Sequence, residues 1–145
     1  MKKVFHIFTI ILTFAISLTS LTSCSKKDDM KQEDVALQTA KEYYDQLING
    51  DYTTFVDGTL QNDSIPADYK SQLVLNMQMY IEQMNKAHQG ITKVEALRAT
   101  CDSVKVSKDS TVVTAQAFLA ICFKDSTREE IVVPMVKKND IWYLR

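Results

Sequence analysis

The chain has 145 residues, a formal net charge of −1 at pH 7 and a hydrophobic content of 46%. This length is sufficient for one domain with a sizeable core and too short for two. The nearly balanced charge and the lack of any nucleic-acid-binding signature argue against a nucleic-acid partner, and the three Gly and two Pro exclude a low-complexity chain.

Residues 1–23 are typical of a secretory signal peptide. Lys2 and Lys3 give a positive start, and residues 4–18 form an apolar run. The next motif, Leu21-Thr22-Ser23-Cys24, resembles the lipobox of bacterial lipoproteins, which is an aliphatic residue, two small residues and a lipidated cysteine. The resemblance predicts cleavage before Cys24 and lipid attachment to its thiol. The alternatives are an uncleaved signal anchor and ordinary cleavage that leaves Cys24 as a free thiol.

Residues 24–34 are predicted to be the lipidated cysteine and a flexible charged tether. Met30 is the only apolar side chain in residues 25–34, so this segment cannot order itself by burying surface. The run Lys27-Asp28-Asp29 resembles the signal that follows the lipidated cysteine in surface lipoproteins of the Bacteroidetes group. The resemblance implies an outer-membrane lipoprotein displayed on the cell surface. The alternative is a plain solvated linker, with the domain on the periplasmic side.

The rest of the chain, residues 35–145, is predicted to be a single domain that opens with two helices. The first covers residues 34–49, with Asp34 as N-cap and Asn49-Gly50 as the stop. Its apolar residues recur at spacings of three and four: Leu37, Ala40, Tyr44, Leu47 and Ile48. The second helix is short, covers residues 52–56 and is capped by Asp51. Residues 61–64 are predicted to be a loop.

The third predicted helix is the longest. Ser64 caps it, Pro66 lies in its first turn and Gly90 ends it. It spans about 22 residues, or about 33 Å at 1.5 Å per residue, and therefore requires an extended partner surface. Its apolar stripe consists of Tyr69, Leu73, Met77, Tyr80, Ile81, Met84 and His88.

Four strands are predicted after Gly90, over residues 91–106, 111–123, 129–137 and 141–144. The first has apolar residues of both parities, which indicates either a bulge or exposure of both faces to apolar surroundings. The second alternates most cleanly, and its mid-strand alanines leave room for a helix or a cavity. Pro134 cannot donate a ladder hydrogen bond, so we expect a bulge or an unpaired edge there. Residues 138–140 are predicted to be a hairpin turn.

Helices followed by an antiparallel meander predict an α+β fold, with N-terminal helices packed on a curved four-stranded antiparallel sheet. In this order and spacing the chain resembles the nuclear transport factor 2-like superfamily, the cystatin-like cone, and in particular its small lipoproteins of unknown function. The resemblance rests on Asn49-Gly50-Asp51-Tyr52, the long helix, the long hairpin and Ile141-Trp142-Tyr143. Family members usually have Gly in the last turn, where this chain has Asn139-Asp140, which also tolerate positive φ.

The resemblance implies a cone whose mouth can hold a small molecule, although a fold alone does not specify a function. We expect a non-catalytic domain that binds a small apolar or glycan-like ligand, or an envelope protein. The candidate lining residues are Tyr44, Met77, Tyr80, Met84, His88, Ala117 and Leu119. The family also dimerises through its open sheet face, which here would carry Thr114, Gln116 and Phe118.

The alternative is a small cone-fold enzyme, an isomerase, dehydratase or hydrolase, with a carboxylate or His in the cone. The candidates are Asp45, His88 and Asp102. Structural roles without catalysis are the alternative for these residues. His88 ends a helix, where the dipole favours a positive charge. Asp102 would form an outward ion pair with Arg98. The enzyme hypothesis requires one of the three inside an enclosed pocket, with a second polar group in reach.

No metal or cofactor is expected, because His6 leaves with the signal peptide and His88 is then the one imidazole. Cys101 and Cys122 are predicted to be separate buried thiols. A turn centred on residues 108–109 pairs Cys101 with Gln116 and leaves Cys122 roughly 20 Å away at 3.3 Å per residue. A disulfide tolerates a Cα separation of only about 7 Å. A bulge that shifts the register is the alternative.

Overall fold

The computed structural model of the chain describes residues 31–59, 64–107 and 110–145. The predicted signal peptide, Cys24, tether residues 25–30 and most of the predicted loop over 61–64 lie outside these ranges. None of the helices within the described ranges combines the length and the apolar character needed to cross a bilayer.

In the described residues, three helices precede four strands. The strands form one antiparallel sheet in the order β1-β2-β3-β4, and the helices pack on one of its faces, which confirms the predicted α+β class. The elements are α1 (Gln32–Ile48), α2 (Tyr52–Asp57), α3 (Ala67–Ala87), β1 (Ile91–Ser107), β2 (Ser110–Phe123), β3 (Arg128–Lys138) and β4 (Ile141–Leu144).

Helix α1 begins earlier than the sequence predicts. Its N-cap is Lys31, which makes no side-chain capping bond, and Asp34 lies in the first turn. The prediction of Asp34 as N-cap is therefore wrong, and residues 32–34 are helical although they were predicted to belong to the tether. The carboxylates of Glu33 and Asp34 lie near the positive end of the helix dipole, where negative charge is favoured. The helix ends as predicted at Asn49, before Gly50 with φ +88°.

The other two helix starts differ in how well they follow the prediction. Asp51 caps α2 as predicted, because its side chain accepts a hydrogen bond from the Thr54 N–H at 3.1 Å. The N-cap of α3 is Pro66 rather than Ser64, and no side-chain cap bond forms. Pro66 is extended at φ −60° and ψ 147°, and its carbonyl accepts the Lys70 N–H at 3.0 Å.

The β1–β2 register contains three irregularities, between Ile91 and Lys93, Ala96 and Arg98, and Lys105 and Ser107. The second confirms the bulge predicted from the mixed parity. The third moves the register by one residue, so that Cys101 lies opposite Ala115. The predicted pairing with Gln116 is therefore wrong by one position.

Of the two alternatives predicted at Pro134, the bulge is wrong, and the position of the missing N–H lies on an edge that is locally unpaired. Pro134 pairs with Gln116 in a β2–β3 ladder that runs without a shift from Val113 to Cys122. Its carbonyl accepts the Arg145 N–H at 3.0 Å, just beyond the end of β4. In an antiparallel strand, the N and O atoms of one residue point towards the same neighbouring strand. The nitrogen of Pro134 therefore points towards β4, like its carbonyl. Because β4 has already ended there, the lack of an N–H on Pro134 leaves no ladder hydrogen bond unmade.

The main core lies between α1 and the inner face of the sheet. Ala36 and Ala40 of α1 are completely buried, in one cluster with Ala115 and Ala117 of β2. Small residues on both surfaces let the helix approach the strand closely. The mid-strand alanines therefore accommodate a helix, which is one of the two predicted alternatives. A second cluster joins Met84 near the end of α3 to the end of β2 at Ile121 and Phe123.

Two apolar surfaces remain uncovered by the described residues. Helix α3 buries Ile81 and Met84 in its second half, whereas Leu75 and Met79 are about half exposed. The outer face of the sheet, opposite the helices, exposes Val104, Val132 and Ile141. Within the described residues, the predicted extended partner for α3 is therefore supplied only in part.

Candidate functional site

Two aromatic side chains pack together where α1 meets α2, and a third, on α3, lies near them. The rings of Tyr44 on α1 and Phe55 on α2 pack edge to face, with centroids 5.3 Å apart. Tyr80 on α3 is close enough to Tyr44 to perturb its titration. Tyr44, Phe55 and Tyr80 are called the aromatic cluster below.

The aromatic cluster is partly shielded from water. Burial raises the pKa of Tyr44 to about 12, and the neighbouring Tyr80 contributes. Burial also raises the pKa of Tyr80, with a contribution from Glu129 of β3. Tyr80 nevertheless keeps 38% of its surface exposed. Tyrosine rings that are partly exposed can contact an apolar molecule, and their hydroxyls can form hydrogen bonds with its polar groups.

The other predicted lining residues fall into different environments. Met77 is half-buried on α3. Met84 is buried in the second core cluster. Ala117 and Leu119 are completely buried in the main cluster beneath α1, so the structure brings them to the core rather than to an open surface.

His88 is the C-cap residue of α3 and is held against the β2–β3 turn. Its ring stacks on Phe123, with centroids 4.2 Å apart and an angle of 24° between planes. Its Nδ1 lies 3.0 Å from Asp125 Oδ2 and 3.2 Å from Thr127 Oγ1. The backbone N–H of Lys124 donates to the Gly90 carbonyl at 2.9 Å. The end of α3 is thereby tied to the turn between β2 and β3.

Asp125 stabilises the β2–β3 turn through hydrogen bonds within it. Its Oδ1 accepts the Thr127 N–H at 2.9 Å and the Thr127 hydroxyl at 2.5 Å, which is an Asx-turn arrangement. Hydrogen bonds from Thr127, and then the contact with His88, hold the pKa of the Asp125 carboxyl below its usual value.

The geometry at His88 differs from that of a nucleophilic triad. In a triad the two ring nitrogens have separate partners, the nucleophile on one and the orienting carboxylate on the other. Here Asp125 and Thr127 both approach Nδ1, and the Thr127 hydroxyl proton is already directed at Asp125. The contacts among His88, Asp125 and Thr127 therefore fit a structural role, holding the end of α3 against the β2–β3 turn, better than a proton relay to an activated hydroxyl.

The three predicted catalytic candidates are not brought together. Asp45 pairs with Lys41 one turn earlier on α1, at 2.5 Å. His88 lies at the end of α3, on the helical side of the sheet. Asp102 is exposed opposite Thr114, on the outer face. The sheet therefore separates Asp102 from Asp45 and His88.

The bulge at Leu97 explains the position of Asp102. Val94 and Ala96 face inward, and the extra residue turns Arg98, Thr100 and Asp102 outward. Arg98 then lies over the Phe118 ring, 3.5 Å from its centroid, as a cation–π contact.

Cys101 and Cys122 are free thiols far apart on the sheet, as predicted, but both are partly rather than fully buried. Cys101 lies opposite Ala115, and Cys122 lies opposite Lys93. The seven residues from Ala115 to Cys122 correspond to roughly 23 Å at 3.3 Å per residue. Burial, followed by the charges of Glu33 and Asp102, raises the pKa of the Cys101 thiol, which disfavours the reactive thiolate.

An open cleft of about 350 Å³ lies where α1 begins, and the sequence did not predict it. It is lined by Lys31, Gln32, Glu33, Cys101, Ser103 and Val113. The cleft depends on the position of the first turn of α1 over the β1–β2 hairpin, for which the sequence carries no local signal. The Asp125-Ser126-Thr127 contact with His88 was also missed, although Asp followed by Thr two residues later is a recognisable Asx-turn pattern.

Within residues 31–59, 64–107 and 110–145, no three His, Cys, Asp or Glu side chains are grouped so as to hold a metal ion. The comparisons with known proteins are limited to a structural likeness. No protein-family model matches the chain, and no curated protein matches its sequence. Among solved structures, the chain is similar to a Campylobacter jejuni protein named as an NTF2-like transpeptidase. That match has a TM-score of 0.48 and 16% sequence identity, and it covers 74% of this chain and 94% of the other. A match of this quality assigns neither a family nor an activity to the chain.

Proposed function

We propose that this chain is an envelope lipoprotein, anchored in the outer membrane through Cys24, whose folded domain binds a small, mainly apolar ligand without transforming it. The aromatic cluster is the proposed contact surface for the ligand. Membrane attachment and ligand binding then belong to separate parts of the chain.

The proposed anchor rests on the sequence before the domain. The motif Leu21-Thr22-Ser23-Cys24 follows a positive start and an apolar run, which is the context in which such a motif directs lipidation. Six residues, 25–30, then separate Cys24 from the first described residue, Lys31. Two or three acyl chains give lasting attachment, whereas a single chain gives only marginal binding.

One observation carries the proposal of binding, namely the environment of Tyr44. Its ring is packed against Phe55 and its pKa is raised to about 12, yet its neighbour Tyr80 remains 38% exposed. The cluster therefore offers apolar ring surface at the boundary with water. Exposed aromatic groups with polar tips are the residues that ligand sites most often use for contact.

The proposal is tested by a thermal-shift screen of residues 25–145 against sterols, bile acids, other apolar metabolites and glycans. A ligand at 100 times its dissociation constant adds about 2.7 kcal/mol of stability. We expect at least one apolar class to raise the melting temperature, and Tyr80→Ala to remove most of that shift.

Tyr69→Ala is the matched control, because Tyr69 is also an exposed tyrosine of α3, at 51% exposure, and lies about three turns before Tyr80. It should leave the shift unchanged. A shift that is lost equally in both variants, or no shift with any class of compound, would contradict binding at the aromatic cluster. The second result would favour a protein partner from the envelope.

A further inference from the structure

The start of α1 and the turn end of the β1–β2 hairpin, where Ser107 pairs with Ser110, lie at the same end of the domain. Lys31, Gln32 and Glu33 line one cleft together with Ser103 of β1 and Val113 of β2, and these last two residues pair directly. The chain that leads from Cys24 therefore enters the domain beside the hairpin end.

Three aliphatic side chains are exposed at this end of the sheet. Val104 is 53% exposed, Val106 is 66% exposed and Ile141 is 53% exposed. Val104 lies on the outer face, since it follows Asp102 by two residues, and Ile141 shares the parity of Tyr143, opposite to the buried Trp142 and Leu144. Val106 lies in the bulge between Lys105 and Ser107. Val104, Val106 and Ile141 are called the sheet-end patch below.

We propose that the sheet-end patch contacts the surface of the lipid bilayer in which Cys24 is anchored. This inference rests on the proposed lipidation. The seven residue steps from Cys24 to Lys31 can extend over at most about 25 Å. The sheet-end patch lies at the same end of the sheet as the point where this segment joins α1, with Val104 and Ile141 on the face opposite that helix. A segment of this length therefore keeps this end of the sheet within reach of the interface.

The charges beside the sheet-end patch support a lipid partner. Exposed Lys138 pairs with Ile141 on the outer face, and exposed Lys105 lies between Val104 and Val106 in the chain, on the other face of this edge strand. Lysines beside aliphatic groups can extend their ammonium groups to lipid phosphates while the aliphatic groups lie deeper. The far end of the outer face is densely charged instead, with ion pairs between Lys93 and Glu95 and between Arg128 and Glu130.

The size of the sheet-end patch also favours lipid over a second protein. A stable protein interface buries about 800 Å² on each partner, which three aliphatic side chains do not supply. A covalent anchor removes the need for such an area, because it makes the contact intramolecular and keeps the local concentration of lipid high. A weak apolar contact then suffices to orient the domain.

The test uses the full-length chain, purified from membranes of a Gram-negative host. The chain is reconstituted in phosphatidylethanolamine and phosphatidylglycerol vesicles, with and without bromine atoms near the headgroup ends of the acyl chains. Val106→Trp places a fluorophore in the sheet-end patch. Lys93→Trp is the control, because it lies on the same strand, is exposed, and is about 40 Å away at 3.3 Å per residue. The emission of the native Trp142, which is 3% exposed, is subtracted by measuring the unsubstituted chain.

We expect the emission of Val106→Trp to shift to shorter wavelength in vesicles and to be lost with brominated lipid, while Lys93→Trp keeps its emission in both lipids. If the chain is lipidated and floats with the vesicles but bromine quenches neither tryptophan, the contact is refuted and the anchor stands. A blue shift without quenching also overturns the inference, because protein then covers the sheet-end patch. A chain that carries no lipid and does not float refutes the proposed anchor itself, and the contact with it.

Discussion

At the scale of single residues, Gly58 fixes the distance between the end of α2 and the ring of Tyr43. A Cβ atom at this position would overlap that ring, whose hydroxyl donates to the Trp142 carbonyl at 3.5 Å. Because the ring is held on both sides, Gly58→Ala should lower the free energy of unfolding by about 1–3 kcal/mol, the usual cost of overpacking. Urea denaturation measures the change.

The control for Gly58→Ala is the same substitution in a Tyr43→Val background. Without the ring, the added methyl group has room, and most of the cost should disappear. An equal cost in both backgrounds would show that the ring is not what Gly58 accommodates.

Tyr44 gives a prediction on alkaline pH. Its pKa is raised in the folded protein to about 12, from an ordinary value of 10.0. A raised folded pKa means that the unfolded chain loses its proton first, so the contribution of Tyr44 to stability is complete below pH 10 and is lost as the pH rises towards 12. Ultraviolet titration should show a tyrosine that ionises near pH 12.

Tyr44→Phe should remove that titration step and reduce the loss of stability between pH 10 and 12. Tyr69→Phe is the matched control, since Tyr69 is exposed, and it should leave the step in place. If the step near pH 12 persists in Tyr44→Phe, the buried environment assigned to this ring is incorrect.

Asp125 gives the corresponding prediction on acidic pH. Its pKa is lowered chiefly by hydrogen bonds from Thr127. A lowered folded pKa contributes stability above the ordinary value of 3.8, and this contribution is lost as the pH falls through the folded value. Thr127→Val removes the hydroxyl donor, so it should raise the pKa of Asp125, as read from the carboxyl carbon chemical shift in NMR. An unchanged pKa would contradict the assigned role of Thr127.

At the scale of elements, the contact between α1 and β2 depends on small side chains. Ala40 is completely buried in the cluster that contains Ala115 and Ala117. Ala40→Leu should lower the free energy of unfolding by about 1–3 kcal/mol because the helix cannot move away without opening the core. Gln38→Leu adds a leucine to the exposed face of the same helix and should stay within about 0.5 kcal/mol of the parent chain. Similar effects of the two substitutions in urea denaturation would contradict this packing.

Elements governed by local chemistry were predictable from the sequence. Asp51 caps α2, and Asn139 and Asp140 both adopt positive φ, 51° and 62°, in the β3–β4 turn. Both results follow from side chains that bond to the nearby backbone or tolerate the left-handed region. The alternation of β2 was predictable for a similar reason, because one of its faces is buried along most of its length.

Register and helix starts were less predictable because they depend on more than local chemistry. The mixed parity of β1 indicated a bulge, and the shift between Ala96 and Arg98 confirms it. A second shift, between Lys105 and Ser107, had no such signal and displaced Cys101 by one position. Similarly, α1 begins at Gln32 without a capping side chain, so a rule that looks for a cap selects Asp34 instead.

At the scale of the whole molecule, the candidate site was predictable only in part. The spacing of apolar residues placed Tyr44, Met77 and Tyr80 on helix faces towards the core, but it could not distinguish them from Ala117 and Leu119, which α1 covers completely. The contact between His88 and Asp125 joins residues 37 positions apart. Such contacts follow from the packing of α3 against the sheet, which no local pattern specifies.

The outer face of the sheet is the surface to which both a homodimer contact and a lipid contact are assigned. Its centre carries Phe118 beneath Arg98 and a Val132 that is 54% exposed. The homodimer expected through this face stays a prediction, and it would use the centre of the face, whereas the proposed lipid contact uses the end next to the tether. The two proposals therefore assign different partners to different parts of one surface.

Attachment through Cys24 underlies both the proposed membrane anchor and the proposed lipid contact, and labelling with radioactive palmitate tests it directly. The full-length chain is expressed in a Gram-negative host fed with the label, next to Cys24→Ser and to a Cys101→Ser, Cys122→Ser double variant that retains Cys24. We predict that the parent chain and the double variant carry the label in the membrane fraction, whereas Cys24→Ser carries none and is released from the membrane. Label that persists in Cys24→Ser, or a parent chain without label, would contradict lipid attachment at Cys24.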